Sequence, residues 1–272
     1  MSYYQGKHVL LTGAASGIGR LMAQEMGAQG ARIILWDIDQ HGLEETGRLL
    51  EEAGVAVDLY VCDLASRAAI QDAAAQTLAE CGRVDILVNN AGIVSGRNIL
   101  DLTEEQIIRT FEVNTLALYW TTRAFLPGMI ERKSGHIVTI SSAGGICATA
   151  RMTDYCASKF AAFGFDDALR VELKRNNFPI HTTIVCPFYI DTGMFEGVKS
   201  RFAFLLPILR PEYVATRIVS SVARRKRRLV MPRFVFAVFF CRLLPVPLFD
   251  WIMNFLGVSK SMDEFTGRPG GH

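Results

Sequence analysis

A tyrosine and a lysine stand four residues apart in the segment YCASK, residues 155–159. In a helix this spacing is about one turn, so Tyr155 and Lys159 would share a face. Left alone, both side chains titrate at roughly pH 10, but a neighbouring ammonium stabilises a phenolate. The pair could therefore make the phenol an acid or base for proton transfer. Tyr and Lys are also common on helix surfaces, so the pair alone leaves both interpretations open.

A glycine-rich turn, TGAASGIG at residues 12–19, follows the apolar run HVLLT and precedes a helical pattern. Glycines let the backbone approach a pyrophosphate, and the next helix N-terminus supplies N–H groups and a positive dipole. A strand before the turn and a helix after it are the context that such a loop requires. We therefore predict a nucleotide site, with contacts in this turn from Gly13, Ser16, Gly17, Ile18 and Gly19.

Aspartates end the next two predicted strands. A carboxylate at Asp37 would bind the hydroxyls of an adenosine ribose and repel a 2′-phosphate. Its neighbours Trp36 and Ile38 offer no cation, so the sequence favours NAD over NADP. Asp63 would accept a hydrogen bond from the adenine amine, with Leu64 against the ring. Each aspartate could instead cap the helix that follows it.

Strands and helices that could hold these residues alternate along the first 187 residues. Near-continuous apolar strands separated by helices indicate a parallel sheet covered on both faces. We predict an α/β protein in which a single doubly wound Rossmann domain, ending in an apolar C-terminal extension, spans residues 1–272. The predicted strands are HVLLT, ARIILWD, VAVDLYVCD, VDILVNNAG, GHIVTISS and IHTTIVCP.

Composition excludes some classes of protein. A chain of 272 residues with 50% hydrophobic content is not globally disordered. The formal net charge is +2, and the single basic run RRKRR has no interleaved aromatics, so no nucleic-acid partner is expected. Six cysteines without a CxxC motif predict no metal site. No secretory signal is recognisable, which favours a cytoplasmic location, with peripheral contact at a membrane or lipid surface as a further option.

The motifs TGAASGIG, NNAG, Asn114, SS and YCASK resemble, in order and spacing, those of the classical short-chain dehydrogenase/reductases. The resemblance covers roughly residues 6–192 and implies an NAD(P)-dependent alcohol dehydrogenase acting on CH–OH donors. Ser142 lies thirteen residues before Tyr155, as the family's catalytic serine does. The implied catalytic residues are Asn114, Ser142, Tyr155 and Lys159, and further implied cofactor contacts are Asn90, Ala91, Gly92, Tyr155, Lys159, Pro187 and Thr192.

The resemblance also implies a role for each catalytic residue. Tyr155 would remove the hydroxyl proton, and Lys159 would lower the tyrosine pKa and hold the nicotinamide ribose. Ser142 would orient the substrate oxygen, while Asn114 would hold a water that links Lys159 to solvent.

The segment after the sixth predicted strand departs from the wider family. Thr192 resembles the threonine that binds the nicotinamide carboxamide, and Asp191 is the alternative for that role. Phe188 replaces the glycine of the common Pro-Gly motif after Pro187, and it would form an apolar wall beside the nicotinamide.

A narrower resemblance, carried by ILWDIDQHGLEETG, CPFYIDTGMFEGV and SKSMDEFTGR, is to 17β-hydroxysteroid dehydrogenases of lipid-droplet type and to retinol dehydrogenases. It implies a lipophilic alcohol as substrate: retinol, a steroid or a long-chain alcohol. An NADPH-type ketone or aldehyde reductase and a non-catalytic NAD-binding sensor or scaffold are the alternatives.

Relatives associate through two long helices, here roughly 104–132 and 154–176, so a homodimer or homotetramer is expected. Many carry an N-terminal membrane segment, which this chain is expected to lack because its first strand begins near residue 8.

Two apolar segments follow the last motif. Residues 193–212 are expected to form a lid over a lipophilic substrate, although they could merely pack on the domain. Residues 232–272 are apolar but interrupted by Arg242, Pro245, Pro247 and Asp250, and we do not predict a membrane span. This segment could lie on a membrane, close a dimer interface or cover the pocket. The run RRKRR before it could attract anionic lipid or simply end a helix before a strand, LVMP.

Overall fold

The computed structural model describes residues 2–267 and contains one seven-stranded parallel sheet. Residues 1 and 268–272 of the predicted domain, including the end of its apolar extension, lie outside the described residues. The strand order is β3-β2-β1-β4-β5-β6-β7. The strands are β1 His8–Thr12, β2 Arg32–Asp37, β3 Val57–Val61, β4 Ile86–Asn89, β5 Gly135–Ile140, β6 Ile180–Pro187 and β7 Arg228–Met231.

Helices cover both faces of the sheet, as the apolar strands require. Side chains of α1, α2 and α7 form the core on one face, and those of α3, α5 and α6 form it on the other. The prediction of a doubly wound α/β fold is confirmed. The helices are α1 Gly17–Ala28, α2 Gln40–Glu52, α3 Arg67–Cys81, α4 Glu104–Phe111, α5 Ala117–Glu131, α6 Thr153–Arg175, α7 Pro211–Ala223, α8 Val238–Cys241 and α9 Val246–Phe255.

The strand order reverses direction between β1 and β4. In open sheets of this kind, ligands bind at the carboxyl ends of the strands where the order reverses. The glycine-rich turn follows β1 and the NNAG motif follows β4. The fold therefore brings both motifs to the expected binding edge.

The long helix predicted at roughly 104–132 is divided in the structure. A π-helical turn, Glu112–Leu116, lies between α4 and α5. The predicted lid, residues 193–212, is built of turns until α7 begins at Pro211. Beyond β7 the chain forms the short helices α8 and α9, and none of the helices within residues 2–267 is long and apolar enough to cross a membrane.

Candidate active site

A cleft of about 530 Å³ runs along the carboxyl ends of the strands. The glycine-rich turn and Asp37 line one end, and Ser142, Tyr155 and Lys159 line the other. Every residue predicted to bind the cofactor lies in its wall. Asn114 does not line the cleft itself but contacts the residues that do.

The glycine-rich turn packs against the end of β4 through close backbone contacts. Gly13 has a φ of +64°, and a Cβ there would lie 2.7 Å from the Cα of Ala91. A Cβ on Gly19 would collide with the carbonyl oxygen of Gly13. The Asn90 amide donates to the carbonyl oxygens of Thr12 and Gly13, both at 2.9 Å. Glycine at these positions lets the turn, α1 and β4 converge.

The N-terminus of α1 opens into the cleft behind this turn. Ser16 is its N-cap residue, and Ser16, Gly17 and Ile18 line the cleft. The first N–H groups of a helix have no partner within the helix, so they present donors and positive dipole to an anion. Gly17, with a φ of +56°, faces the side chain of Thr192, where a Cβ would lie 3.5 Å away.

Asp37 stabilises the turn as well as lining the cleft. Its Oδ2 accepts from the Ala15 N–H at 2.9 Å, and its Oδ1 accepts from the Asp39 N–H at 3.1 Å. The alternative role for Asp37 as a helix cap is wrong, because Asp39 caps α2 by accepting from the Gly42 N–H. The carboxylate therefore holds the glycine-rich turn at the cleft.

The carboxylate of Asp63 is likewise not a helix cap. Ser66 caps α3 by accepting from the Ala69 N–H. Oδ1 of Asp63 accepts from the Ala65 N–H at 2.9 Å, and Oδ2 lies 3.7 Å from the Arg109 guanidinium. Together with Leu64, these groups line the end of the cleft where the sequence predicts the adenine.

Tyr155 is buried at the start of α6, beside Ser142 at the start of the loop after β5. Burial raises the pKa of the Tyr155 phenol, and its hydrogen bond with Ser142 opposes that rise. Ser142 Oγ also accepts from the Gly144 N–H at 3.0 Å. The two hydroxyls are thus coupled and held at the wall of the cleft.

The Lys159 ammonium lies one turn along α6 from Tyr155. Its Nζ is 5.7 Å from the centre of the Tyr155 ring and donates to the carbonyl oxygen of Ile140 at 3.0 Å. Burial lowers the pKa of Lys159 to about 8, so it remains largely protonated at neutral pH. Ser141 also lines the cleft, and its hydroxyl donates to the carbonyl oxygen of Lys159 in the backbone of α6 at 2.9 Å.

Asn114 connects α6 to the loop after β4. It lies in the π-helical turn; its Oδ1 accepts from the Ile93 N–H at 2.8 Å, and its Nδ2 donates to the Ile93 carbonyl and to Ser158 Oγ. A Cβ on Gly92 would lie 3.1 Å from Lys159 Nζ and 3.3 Å from Asn114 Oδ1. The amide and the ammonium therefore converge at Gly92, as a role in the same proton path requires.

The segment after β6 closes the cleft on the substrate side. Pro187, Phe188 and Thr192 line the cleft, whereas Asp191 is exposed and does not. The predicted apolar wall at Phe188 is present, and its ring packs edge-on against that of Tyr189 at 4.6 Å.

A second, apolar cavity of about 50 Å³ adjoins this end of the cleft. Ser142, Phe188 and Phe195 line both spaces, so the cavity begins beside the Ser142 hydroxyl. Of the predicted lid residues, Phe195 and Leu206 reach the cavity, while Phe204 and Ile208 are exposed. The apolar C-terminal extension supplies the far wall, through Phe234, Val235, Val238, Met253, Leu256 and Val258.

Three charged residues near the site have no sequence motif to mark them. Arg109 lines the adenine end. Arg20 donates to the Ala15 carbonyl behind the glycine-rich turn and pairs with Glu45 at 3.1 Å. Asp154 is buried and accepts from the hydroxyls of Ser95 and Thr110, which ties the start of α6 to the loop after β4 and to α4.

The arrangement fits a dinucleotide cofactor with its nicotinamide end at Tyr155. A helix N-terminus meets the glycine-rich turn, carboxylates stand at the adenosine end, and Gly92 leaves room beside Lys159. The described residues contain no cluster of His, Cys, Asp or Glu that could hold a metal ion. Fold and site together define a Rossmann-type oxidoreductase site with a Ser-Tyr-Lys constellation.

Comparison with known proteins assigns the family. Residues 7–202 match the family model "short chain dehydrogenase". The chain therefore belongs to the short-chain dehydrogenase family and is an oxidoreductase of the alcohol dehydrogenase type, as the motifs predicted. Epidermal retinol dehydrogenase 2 of Mus musculus is 44% identical over 266 residues, which are 97% of this chain and 86% of that protein. Retinol dehydrogenase 10-B of Danio rerio is 39% identical over 288 residues, with the same two shares.

Solved structures of the same fold include forms with either nicotinamide cofactor. A short-chain dehydrogenase/reductase from Burkholderia phymatum in complex with NAD has a TM-score of 0.81 at 25% identity, covering 89% of this chain and 95% of that one. An actinorhodin polyketide ketoreductase with NADPH has a TM-score of 0.76 at 31% identity, covering 85% and 97%.

Proposed function

We propose that this protein is an NAD-dependent oxidoreductase that interconverts a lipophilic alcohol and its carbonyl by hydride transfer. The observation that carries the proposal is that Ser142, Phe188 and Phe195 line both the cofactor cleft and the apolar cavity. An alcohol whose hydroxyl reached Ser142 and Tyr155 would therefore have its hydrocarbon part among apolar side chains. Relatives that are retinol dehydrogenases favour retinol-type alcohols within this class, with steroid and long-chain alcohols as the neighbouring options.

The side chains of the site suit proton removal from an alcohol. NAD⁺, when bound, supplies the acceptor for the hydride. Ser142 donates to the alcohol oxygen and orients it, and Tyr155, as phenolate, accepts the hydroxyl proton. The hydrogen bond with Ser142 offsets part of the pKa rise that burial causes. The Lys159 ammonium, 5.7 Å from the centre of the Tyr155 ring, stabilises the phenolate in this proposal. In the reverse direction the same phenol donates its proton to a carbonyl oxygen.

Asn114 and Lys159 provide the route by which the proton leaves. Asn114 Oδ1 and Lys159 Nζ both face Gly92, and the Asn114 amide is fixed by Ile93 and Ser158. We place the water that links Lys159 to solvent at this point. Thr192 binds the nicotinamide carboxamide in this proposal, because it lies in the cleft wall and Asp191 does not.

The preference for NAD is part of the proposal and depends on Asp37. Its carboxylate lies in the wall of the cleft, where it would repel a 2′-phosphate. The guanidinium of Arg20, on α1 behind the glycine-rich turn, is engaged by Thr46, Glu45 and the Ala15 carbonyl. The known structures of the fold hold either cofactor, so the choice must be tested on this chain.

We further propose a homodimer or homotetramer formed through α5 and α6, in a cytoplasmic protein that touches lipid peripherally. Large apolar side chains are exposed along this part of the chain, at Ile108 before α5, at Leu116 and Tyr119, and at Val171 on α6. Such side chains are candidates for burial between subunits.

The test is absorbance at the reduced-nicotinamide band, with purified protein, NAD⁺ or NADP⁺, and retinol, steroid alcohols and medium to long alcohols. NADH formation that is lost in Tyr155→Phe would establish the activity and the substrate class. The matching aldehydes and ketones with NADH or NADPH test the reductase direction. Tight NAD binding without turnover of any alcohol or carbonyl would contradict the proposal and favour a non-catalytic sensor.

A further inference from the structure

Large apolar side chains are exposed on the lid and on the C-terminal extension. They occupy the turns of the lid, the helical turn Arg233–Ala237, α8, α9 and the segment between these two helices, and we call them the aromatic surface. Scattered exposed apolar residues are normal, but a concentration in one stretch of chain marks an interaction site. The surface comprises Phe204, Phe234, Phe236, Phe240, Leu243, Val246, Leu248, Trp251 and Phe255.

Ring contacts join the lid part of this surface to α9. Trp251 and Phe255 stack at 5.8 Å, and Phe255 packs against Phe202, which contacts Phe204 at 6.1 Å. The Arg201 guanidinium lies over the rings of both Phe202 and Phe255, within 5.5 Å of each centre. Trp251 is 63% exposed, with an apolar ring and one N–H, a side chain suited to a boundary between water and hydrocarbon.

The charge of the chain is distributed unevenly around this surface. Residues 199–264 contain 12 lysines and arginines against 4 acidic residues, Glu212, Asp250, Asp263 and Glu264, although the whole chain has 29 and 27. The remainder of the chain is therefore acidic overall. Within residues 199–264, Glu264 pairs with Lys199. The basic residues of the lid and the extension include Lys199, Arg201, Arg233, Arg242 and Lys260, all of them exposed. The RRKRR run lies apart from them, at the amino end of β7, where Arg225 lies over the Tyr3 ring.

We propose that the aromatic surface docks on an anionic phospholipid bilayer, with its rings in the interface and the flanking lysines and arginines against the lipid headgroups. Apolar rings and cations in one segment are the combination that binds such a surface. A second copy of the chain fits less well, because a two-fold interface sets the same patch against itself and would bring like charges together.

The docking surface and the apolar cavity share one helix. Met253 of α9 and its C-cap residue Leu256 line the cavity, whereas Trp251 and Phe255 of the same helix are exposed. A lipophilic alcohol dissolved in the bilayer would thus meet the wall of the cavity without crossing water. This consequence rests on the proposed function, but the docking itself does not.

Sedimentation with vesicles tests the docking without any substrate. NAD-loaded protein is mixed with vesicles of phosphatidylcholine alone or with phosphatidylserine, at low and high salt. We expect the protein to pellet only with vesicles that contain phosphatidylserine, and only at low salt. The double variant Leu243→Glu/Trp251→Glu should pellet at least tenfold less, because Leu243 and Trp251 are 83% and 63% exposed on this surface. Val61→Glu is the matched control, because Val61 is 58% exposed on β3, at the opposite edge of the sheet from β7.

Fluorescence identifies the face that enters the lipid. Of the three tryptophans, Trp36 is fully buried and Trp120 is partly buried. Anionic vesicles with brominated acyl chains should quench emission in the wild type and not in Trp251→Phe. Absence of pelleting at low salt, equal pelleting of the double variant, or quenching that persists in Trp251→Phe would each overturn the proposal. If the wild-type protein self-associates as its concentration rises and the double variant does not, the surface binds a second copy of the chain instead of lipid.

Discussion

At the scale of single residues, Asp37 has both a structural role and an electrostatic role. It fixes the glycine-rich turn through the Ala15 N–H, and it places a negative charge in the wall of the cleft. The first function needs an acceptor and the second needs a charge. An asparagine keeps an acceptor and removes the charge, so Asp37→Asn separates them.

We expect Asp37→Asn to lower the preference for NADH over NADPH by about tenfold, which is roughly 1.4 kcal/mol of binding free energy. The reason is that a fixed carboxylate repels a 2′-phosphate, whereas an amide does not. Nicotinamide fluorescence titrations with each cofactor measure the two dissociation constants. Asp39→Asn is the control, because it removes a neighbouring charge in the same wall and retains a good helix cap. An equal change in both variants would remove Asp37 from its discriminating role.

The pKa values of Tyr155 and Lys159 predict opposite pH profiles for the two directions of the reaction. Burial raises the pKa of Tyr155, so alcohol oxidation, which needs phenolate, should rise with pH, and carbonyl reduction, which needs phenol, should fall. Removing the ammonium raises the phenol pKa further, so Lys159→Ala should move the oxidation profile to higher pH. Steady-state kcat/KM against pH measures both effects.

Lys174→Ala provides the comparison for that profile, since Lys174 is exposed on the same helix and far along it from the cleft. We expect its profile to match that of the unmodified protein. An unchanged profile in Lys159→Ala would mean that the lysine does not act on the tyrosine.

At the scale of elements, α6 holds an unused ionisable group in the core. Asp166 is buried between α6 and the sheet, and its Oδ1 has no hydrogen-bond partner among residues 2–267. Burial, and then the charge of Asp167, raises its pKa from 3.8 to about 7. The folded state therefore binds more protons than the unfolded state between these values, and stability falls as pH rises through this window.

Asp166→Asn should accordingly stabilise the protein at pH 8 by on the order of 2–4 kcal/mol, and by less as pH falls toward 4. Denaturant unfolding at several pH values measures the difference. Asp167→Asn supplies the contrast, because Asp167 is partly exposed and pairs with Arg170 and Arg228, so its removal should not stabilise. A gain independent of pH would show that the ionisation of Asp166 is not its source.

The lid offers a test of substrate length with a matched pair of leucines. Leu206 and Leu209 are both 5% exposed, but only Leu206 lines the cavity beside Ser142. Leu206→Ala should raise KM for a long alcohol several times more than for a short one, because contacts with the hydrocarbon part are lost. Leu209→Ala should destabilise the fold by a comparable ~2–5 kcal/mol without this split. Equal KM effects on long and short alcohols in Leu206→Ala would contradict the assignment of the cavity.

How far the elements could be predicted from sequence depends on what determines each of them. Apolar runs of strand length identify the strands, because a parallel sheet must be apolar on both faces. The helix caps are harder to predict. The alternative caps Asp37 and Asp63 are wrong, because α2 and α3 begin later in the chain than a cap at either residue would require, and Asp39 and Ser66 cap these helices instead. The π-helical turn at Asn114 depends on contacts with Ile93 and Ser158, which are distant in sequence.

The site likewise contains residues that local sequence motifs identify and residues that only the folded structure brings in. Its motifs are local in sequence, so the resemblance of their order and spacing to those of the family was enough to bring Ser142, Tyr155, Lys159 and the glycine-rich turn into one predicted site. Arg109 and Asp154 enter through helix packing and leave no local signal. The C-terminal extension needed the structure as well, because one helix, α9, has both a cavity wall and an exposed face, and composition does not separate the two.

At the scale of the whole molecule, the small apolar cavity and the aromatic surface are linked, because α9 contributes side chains to both. A cavity of about 50 Å³ is far below the roughly 300–1,000 Å³ of sites that enclose small molecules. A long alcohol can therefore enter only if the lid or α9 moves outward. Both segments carry exposed rings that would gain burial in a lipid interface, so lipid binding should favour the open form.

Anionic vesicles should therefore raise kcat/KM for a medium-chain alcohol about fivefold at matched free alcohol, because binding shifts the population toward the open form. Added salt at ~0.5 M should reverse the effect by screening the lysine and arginine contacts. NADH formation in the presence of phosphatidylserine vesicles measures it, with neutral vesicles as the control for simple partitioning. Leu243→Glu/Trp251→Glu should keep the rate without lipid and lose the stimulation. Equal stimulation by neutral vesicles, or in that double variant, would show that the cavity opens without the aromatic surface.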